Sequence, residues 1–201
     1  MKSKNFDQNY WDTKYKNNQM GWDIGYASPP IINYLNQLTN KDISILIPGA
    51  GNAYEVDYLN TNGYSDITVL DISKEPLINF KKRNPNFPKE NLIQKNFFNF
   101  NKKFDLIIEQ TFFCALSPEL RSGYVEKIAN LLNDHGKLVG LLFDFPLTDK
   151  GPPFGGSLSE YQNLFSKYFN ILTLETCYNS IKPRKGRELF IIFEKKLNIK
   201  I

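Results

Sequence analysis

Short apolar runs alternate with amphipathic stretches from residue 42 onward. This alternation is typical of a parallel sheet whose strands are joined by crossover helices. The apolar runs predict seven strands, at residues 43–47, 67–70, 92–94, 104–109, 137–143, 171–176 and 189–195. Helical spacing of apolar residues predicts helices at residues 52–62, 74–83, 118–132 and 158–168.

The order of these elements predicts the fold class. Helices lie between the first five strands, and the last two strands are joined without an obvious helix. We therefore expect an α/β fold with a doubly wound, seven-stranded, mostly parallel sheet and one antiparallel edge strand. The forty residues before the first strand contain one predicted helix, at about residues 6–16. We expect residues 1–201 to form a single domain in which residues 1–40 fold over the top of the sheet as a helical lid.

Length and charge narrow the class of protein. A chain of 201 residues and 23.3 kDa can bury a core of its own. Its 25 Lys and Arg residues, against 21 Asp and Glu residues, are scattered, so nucleic acid is not an expected partner. Neither a signal peptide nor a membrane span is predicted. We expect a soluble cytoplasmic protein with a small-molecule substrate, and a monomer is favoured.

The two cysteines do not indicate a metal centre. Cys114 and Cys177 are far apart and have no metal-ligand spacing, so neither a disulfide framework nor a metal site is predicted.

The loop after the first strand is the predicted ligand site. In such a sheet, ligands bind beyond the carboxyl ends of the strands where the strand order reverses, and Gly49 and Gly51 lie there. Asp71 ends the second strand 22 residues after Gly49, near the spacing at which an acid binds ribose hydroxyls. Tyr54 replaces the third glycine of a dinucleotide loop, which counts against nicotinamide or flavin. The alternative is a tight turn followed by a helix cap.

A second candidate contact follows the third strand. There the amide of Asn96 and the ring of Phe97 could hold an adenine. Ordinary core packing is the alternative for Phe97.

Several motifs together carry a family resemblance that extends from about Asn9 to Arg187. They are Tyr10-Trp11, Gly21-Trp22-Asp23, Ile47-Pro48-Gly49-Ala50-Gly51, Leu70-Asp71-Ile72-Ser73, Thr111-Phe112-Phe113-Cys114-Ala115, Gly151-Pro152-Pro153-Phe154 and Pro183-Arg184-Lys185-Gly186. The combination resembles the thiopurine S-methyltransferase superfamily. Within that superfamily it is most similar to the thiol, thiocyanate and halide methyltransferases.

The resemblance implies a class I, Rossmann-like methyltransferase fold and S-adenosylmethionine as the methyl donor. Tyr15 stands where the family commonly has Trp, Asn96 where it often has Asp, and Gln110 where it often has Tyr. The cofactor-binding residues that the resemblance implies are Trp11, Tyr15, Trp22, Gly49, Gly51, Asp71, Ile72, Asn96, Phe97 and Gln110.

Methyl transfer from a sulfonium is an in-line displacement, so positioning is most of the catalysis. An anionic acceptor needs a dry apolar pocket and no general base. The single histidine, His135, is expected in a solvated turn, and Cys114 is expected to be a small buried residue rather than a nucleophile. Tyr10, Trp22, Phe112 and Phe113 are candidate pocket walls, with Arg121 and Arg184 as candidates for orienting an anion. Residues 150–156 have the glycine and proline content of a shaped loop or lid.

We therefore expect an S-methyltransferase that acts on a small thiol, hydrosulfide, thiocyanate or halide anion. A thiopurine-type enzyme with a larger aromatic substrate is one alternative, and an enzyme for a neutral oxygen or nitrogen nucleophile is another. A nucleotide-dependent oxidoreductase and a non-catalytic module that binds S-adenosylmethionine are the alternatives from other classes.

Overall fold

Seven strands form one sheet in the computed structural model, which describes residues 6–197. The strand order is β3-β2-β1-β4-β5-β7-β6. The strands are β1 (Ile45–Pro48), β2 (Ile67–Asp71), β3 (Leu92–Gln94), β4 (Phe104–Gln110), β5 (Leu132–Phe143), β6 (Phe169–Thr176) and β7 (Glu188–Lys195).

Six α-helices accompany the sheet in the described part of the chain. They are α1 (Gln8–Lys16), α2 (Pro29–Leu35), α3 (Tyr54–Thr61), α4 (Lys74–Arg83), α5 (Arg121–Leu131) and α6 (Leu158–Phe165). The sequence did not predict α2, because its two leading prolines resemble a breaker; proline is nevertheless well suited to the first turn of a helix. The connection from β3 to β4 contains a short 3-10 turn, Phe97–Asn99, in place of an α-helix. None of these helices is both long enough and apolar enough to cross a lipid bilayer.

The position of the antiparallel strand corrects the prediction. β1 to β5 pair in parallel, whereas β7 is antiparallel to both β5 and β6 and lies between them. The edge strand is therefore β6, and the predicted antiparallel edge strand is wrong. The cause is that β7 has a partner on each side, which leaves β6 outermost. Because Phe143 pairs with Glu188, the loop before β7 lies at the carboxyl end of β5.

β5 begins earlier than predicted. Leu132 pairs with Phe104 and Lys137 pairs with Leu106, so residues 133–136 bulge out between two paired positions. The predicted turn is this bulge, and His135 adopts a φ of 60° within it.

Both faces of the sheet are covered, as expected when parallel strands are buried on two sides. One face packs against α5 and α6 through residues such as Tyr124 and Phe165. The other packs against α2, α3 and α4 through Leu35, Val56 and Phe80. β1 lies between β2 and β4, so the reversal of strand order falls at its carboxyl end.

Candidate functional site

A cavity of about 890 Å³ opens at the carboxyl edge of the sheet. This volume lies within the range of roughly 300–1,000 Å³ that is usual for small-molecule and cofactor sites. Its floor is formed by residues that follow β1, β2, β3, β4 and β5, and its opposite wall by residues of the N-terminal segment, which we define as residues 6–26. The predicted site residues that line it are Tyr10, Trp11, Tyr15, Trp22, Gly49, Gly51, Asp71, Ile72, Asn96, Phe97, Gln110, Phe112 and Arg184.

The glycine loop takes a left-handed path beneath the cavity. Gly49 has a φ of +55°, and a Cβ atom on it would lie 2.2 Å from the ring of Phe112. Gly51 has a φ of +54°, and a Cβ atom there would lie 3.0 Å from the hydroxyl of Tyr15. The dihedral angle therefore favours glycine at both positions, and at Gly49 the close approach of an aromatic ring also requires it.

Asp71 connects this loop to the next strand. Its Oδ2 accepts a hydrogen bond of 2.9 Å from the backbone N–H of Gly51, and its Oδ1 accepts one of 2.8 Å from Ser73. A carboxylate offers about four acceptor positions. Two of them are used by the backbone, so each oxygen of Asp71 retains capacity toward the cavity.

Burial sets the charge state of Asp71, which is only 7% exposed. Desolvation raises its pKa to about 6, against the lowering effect of its backbone hydrogen bonds from Ser73 and Gly51. The carboxyl group is therefore ionised at neutral pH and becomes protonated in mild acid.

Asn96 and Phe97 lie at the β3 end of the cavity. The side-chain Oδ1 of Asn96 accepts a hydrogen bond of 2.9 Å from the N–H of Phe98 and thereby caps the following 3-10 turn. Its amide N–H groups have no partner among the described residues. Phe97 is buried, with its ring 5.5 Å from that of Tyr124 and 5.2 Å from that of Phe112.

Five aromatic residues of the N-terminal segment form a continuous series over the cavity, which we name the aromatic roof. Successive ring centroids in this series are 5.0 to 5.7 Å apart and meet edge to face, as aromatic pairs prefer. The members, in order of contact, are Phe6, Tyr10, Trp11, Trp22 and Tyr15. The roof extends from Gly51, beside Tyr15, to Phe154, whose ring is 5.7 Å from that of Phe6.

Asp12 attaches α1 to the sheet domain beneath it. One oxygen of Asp12 accepts hydrogen bonds from the Ser73 hydroxyl at 2.5 Å and from the Lys74 N–H at 3.1 Å. These two donors lie at the N-terminus of α4, where a negative charge is favourable. No local sequence pattern indicates this contact, because its partners are about sixty positions apart in the chain.

The β5 end of the cavity is less polar. It is lined by Cys114, Phe143, Pro152 and Pro153, and the backbone of Phe154 is tied to Cys114 by a 2.8 Å hydrogen bond. Burial raises the pKa of the Cys114 thiol, so this group is neutral at physiological pH.

Arg184 brings a cation to this end and also fastens the roof. Its Nη2 donates a 2.7 Å hydrogen bond to the backbone carbonyl of Trp22, and its Nη1 lies 3.4 Å from Oε1 of Glu188. The guanidinium also lies 5.8 Å from the ring centroid of Phe143. Its side chain is 11% exposed, so the charge is largely shielded from bulk water.

Two predicted pocket residues do not line the cavity. Arg121 is turned toward α6, where it pairs with Glu160 and donates a 2.7 Å hydrogen bond to the carbonyl of Gly155. Phe113 is 1% exposed, and the Arg121 guanidinium packs 4.8 Å from its ring centroid. The turn after β4 points Phe112 toward the cavity and Phe113 into the core, a difference of direction that the sequence does not contain.

Gln110 presents an unsatisfied polar group. Its Oε1 is buried without a hydrogen-bond partner, and its side chain lines the cavity at the end of β4. A buried carbonyl oxygen without a donor among the described residues is rare in folded proteins.

The single histidine, His135, lies away from the cavity. The imidazole of His135 is 67% exposed and lies in the bulge at the opposite end of β5 from the cavity, as predicted for a solvated turn residue. Within residues 6–197, no group of three or more His, Cys, Asp and Glu side chains is arranged to hold a metal ion.

Comparison with known proteins identifies relatives over nearly the whole chain. The sequence profile of the thiopurine S-methyltransferase family matches residues 6–200. A probable thiol methyltransferase 2 of Arabidopsis thaliana is 29% identical over 184 residues, which cover 89% of this chain and 81% of the relative. Thiocyanate methyltransferase 1 of Brassica oleracea is 27% identical over the same shares of the two chains.

A solved structure shares the fold at low sequence identity. The 1,6-didemethyltoxoflavin N1-methyltransferase of Burkholderia thailandensis, with bound 1,6-didemethyltoxoflavin and S-adenosylhomocysteine, superposes with a TM-score of 0.76 at 16% identity. The match covers 94% of this chain and 87% of that one.

Proposed function

Because the chain belongs to the thiopurine S-methyltransferase family, we propose that it methylates a small thiol, hydrosulfide, thiocyanate or halide anion. The protein is an S-adenosylmethionine-dependent methyltransferase. The chemistry of the site supports a small anion as the class of acceptor. The observation that carries it is the asymmetry of the cavity, which is polar around Asp71 and apolar with a single guanidinium around Phe143.

The residues at the polar end fit S-adenosylmethionine. Asp71 retains acceptor capacity on both oxygens, which suits the two hydroxyls of a ribose. The free amide N–H groups of Asn96 and the ring of Phe97 would hold the adenine. Gly49 and Gly51 leave the floor without Cβ atoms, and Gln110 lines the same cavity.

The aromatic roof suits a cationic donor. When bound, S-adenosylmethionine supplies a methyl group on a sulfonium, which an anionic acceptor removes by in-line displacement. Aromatic faces attract such a cation, and the rings of Trp11, Tyr15 and Trp22 border the cavity. The same rings would exclude water, which increases the reactivity of an anionic nucleophile.

The apolar end suits an acceptor that arrives as an anion. Arg184 is mostly buried there and would attract and orient a negative charge. Burial raises the pKa of both Tyr10 and Cys114, so neither group serves as a general base near neutral pH. Anionic sulfur and halide nucleophiles need no such base.

The test is a panel assay of the purified protein with S-adenosylmethionine. Sulfide, methanethiol, thiocyanate, iodide, a thiopurine and a neutral alcohol are supplied in turn, and release of S-adenosylhomocysteine is measured. We expect turnover with small sulfur anions and much less with the alcohol. Preference for the thiopurine would instead support the aromatic-substrate alternative. Binding of S-adenosylhomocysteine without turnover of any acceptor would support a non-catalytic module.

A charge-removing variant tests the acceptor end. Arg184→Met should lower kcat/KM for thiocyanate about tenfold, because about 1.4 kcal/mol of attraction to the anion is lost. Arg187→Met is the matched control, because Arg187 is exposed and is not among the cavity-lining residues. Equal effects of the two substitutions would count against an anion at this end.

A further inference from the structure

Glu109 is a buried carboxylate to which the proposed reaction gives no role. It is 0% exposed, precedes the last residue of β4 and does not line the cavity. Burying a carboxyl group away from water costs free energy of folding unless the group forms hydrogen bonds within the protein. Its position directly after the apolar residues Leu106, Ile107 and Ile108 therefore calls for a function.

The hydrogen bonds of Glu109 all hold the turn that follows β4 or the helix beside it. Its Oε1 accepts from the backbone N–H of Phe112 at 2.8 Å and from that of Phe113 at 2.9 Å. Its Oε2 accepts from the hydroxyl of Tyr124, on α5, at 2.5 Å. One side chain thus fixes two successive backbone positions of the turn and connects them to the core.

The turn that Glu109 holds is strained. Thr111 has a φ of 58°, and a β-branched residue rarely adopts this left-handed conformation. Such a conformation persists only when the surrounding contacts enforce it. The two hydrogen bonds to Glu109 immediately after Thr111 are contacts of that kind.

A glycine on each neighbouring strand or loop makes room for Glu109 and for the turn that it holds. On β5, Gly140 pairs with Glu109, and a Cβ atom at Gly140 would lie 2.6 Å from the Cβ of Glu109. On the other side, the ring of Phe112 occupies the space that a Cβ of Gly49 would need. The carboxylate, the turn and the ring therefore form one packed unit from β5 to the cavity floor.

We propose that Glu109 is a positioning residue for methyl transfer, which fixes the strained turn at Thr111 so that Phe112 closes the cavity wall beside Gly49. This inference rests on the proposed function, because Phe112 would border the reacting groups. Glu109 acts through Phe112 and touches neither donor nor acceptor.

The test is a double-mutant cycle between Glu109→Leu and Phe112→Leu, with kcat and both KM values measured by varying donor and acceptor in turn. Each single substitution should lower kcat at least tenfold, and the double variant should lie within about threefold of the slower single variant. Glu109→Gln keeps an oxygen acceptor for the two N–H groups and can donate to the Tyr124 oxygen. Its kcat should therefore stay within threefold of wild type.

Crystal structures of the ligand-free variants give a readout that needs no activity. In Glu109→Leu, Thr111 should leave the left-handed region and the Phe112 ring should move from Gly49, whereas Glu109→Gln should keep both in place. Wild-type kcat in a folded Glu109→Leu or in Phe112→Leu overturns the proposal. A Glu109→Gln variant as slow as Glu109→Leu, or multiplicative effects in the cycle, also overturns it.

The experiment remains decisive if Glu109→Leu does not fold or if the wild-type protein shows no turnover. If Glu109→Leu does not fold, a tenfold loss in Phe112→Leu together with wild-type kcat in Glu109→Gln supports the proposal, and the opposite result overturns it. If the wild-type protein turns over no acceptor, the proposed function fails. The positions of Thr111 and Phe112 in the crystal structures then still decide whether Glu109 holds the turn.

Discussion

Asp71 and Glu109 are buried carboxyl groups at the carboxyl ends of β2 and β4, the two strands that flank β1. Each accepts two backbone hydrogen bonds, and burial raises the pKa of each, to about 6 for Asp71 and about 7 for Glu109. They differ in the hydrogen-bond acceptor positions that each carboxylate has left unused. Asp71 faces the cavity with free acceptor positions, whereas Glu109 spends its second oxygen on Tyr124. Burial alone therefore does not identify a ligand site; unused acceptor capacity facing a cavity does.

The largest loss of stability is expected in the glycine loop, which links the surroundings of the two carboxylates. Asp71 accepts a hydrogen bond from Gly51, and Glu109 holds Phe112, which packs against Gly49. Gly49→Ala should destabilise the protein by about 2–5 kcal/mol, because it combines an unfavourable positive φ with overlap of Phe112. Urea unfolding measures the change. Gly63→Ala is the matched control, since Gly63 also has a positive φ but no atom within 4 Å, and it should cost about 1–2 kcal/mol. Equal costs would show that Phe112 does not constrain Gly49.

The raised pKa values predict that each carboxylate destabilises the ligand-free protein as pH rises. The folded protein holds these protons more tightly than the unfolded chain does. The stabilisation that the protonated carboxyl groups give the folded state is therefore fully present below about pH 4, and it is lost as pH rises through 6 and 7. The change from 3.8 to about 6 for Asp71 corresponds to up to about 3 kcal/mol. Asp71→Asn and Glu109→Gln should therefore gain stability relative to wild type between pH 4.5 and 8 in urea unfolding. Parallel pH profiles would contradict this prediction.

Ligand binding should separate the two carboxylates. Asp71→Ala should weaken binding of S-adenosylhomocysteine by about 1.5–3 kcal/mol, because it removes charge-assisted hydrogen bonds to the ribose. Calorimetry measures the dissociation constant. Asp66→Ala, at an exposed ion pair with Lys102 away from the cavity, is the control and should leave affinity unchanged. Wild-type affinity in Asp71→Ala would remove the ribose assignment.

The smallest effect is expected where the roof is attached beside Asp71. Asp12→Ala should cost about 1 kcal/mol of stability through loss of its bonds at the N-terminus of α4. If residues 1–40 act as a lid, the same change should weaken S-adenosylhomocysteine binding a few-fold. Thr13→Ala, on the exposed side of α1, is the control. A stability loss with unchanged affinity would separate attachment from lid function.

The sequence predicted those site residues that directly follow a predicted strand. Gly49 and Asp71 were found by their place after successive apolar runs, and paired strands bring such positions together, since Pro48 pairs with Leu70. The contacts of Asp12 with Ser73 and of Arg184 with Trp22 join distant parts of the chain and left no local pattern. One local signal indicates Glu109: an acidic residue directly follows the apolar run Leu106-Ile107-Ile108 near the end of β4.

The other wrong predictions concern the direction in which a side chain points, the partner of a charged group and the neighbours of a strand. Phe112 and Phe113 are chemically identical neighbours, and only the turn geometry sends one to the cavity and the other to the core. Arg121 was expected near an anionic substrate, but its Nη1 and Nη2 donate to Glu160 and to the carbonyl of Gly155. The internal position of β7 was missed because a strand's second neighbour is chosen by long-range packing, which the order of elements does not specify.

The internal position of β7 has a consequence for biosynthesis. Within the described residues β6 pairs with β7 alone, so on a new chain it has no partner until the strand that follows it is available. Until the two strands pair, Leu172 and the free peptide groups of β6 can meet a strand of another chain. A substitution that slows pairing of β7 would lengthen this exposure.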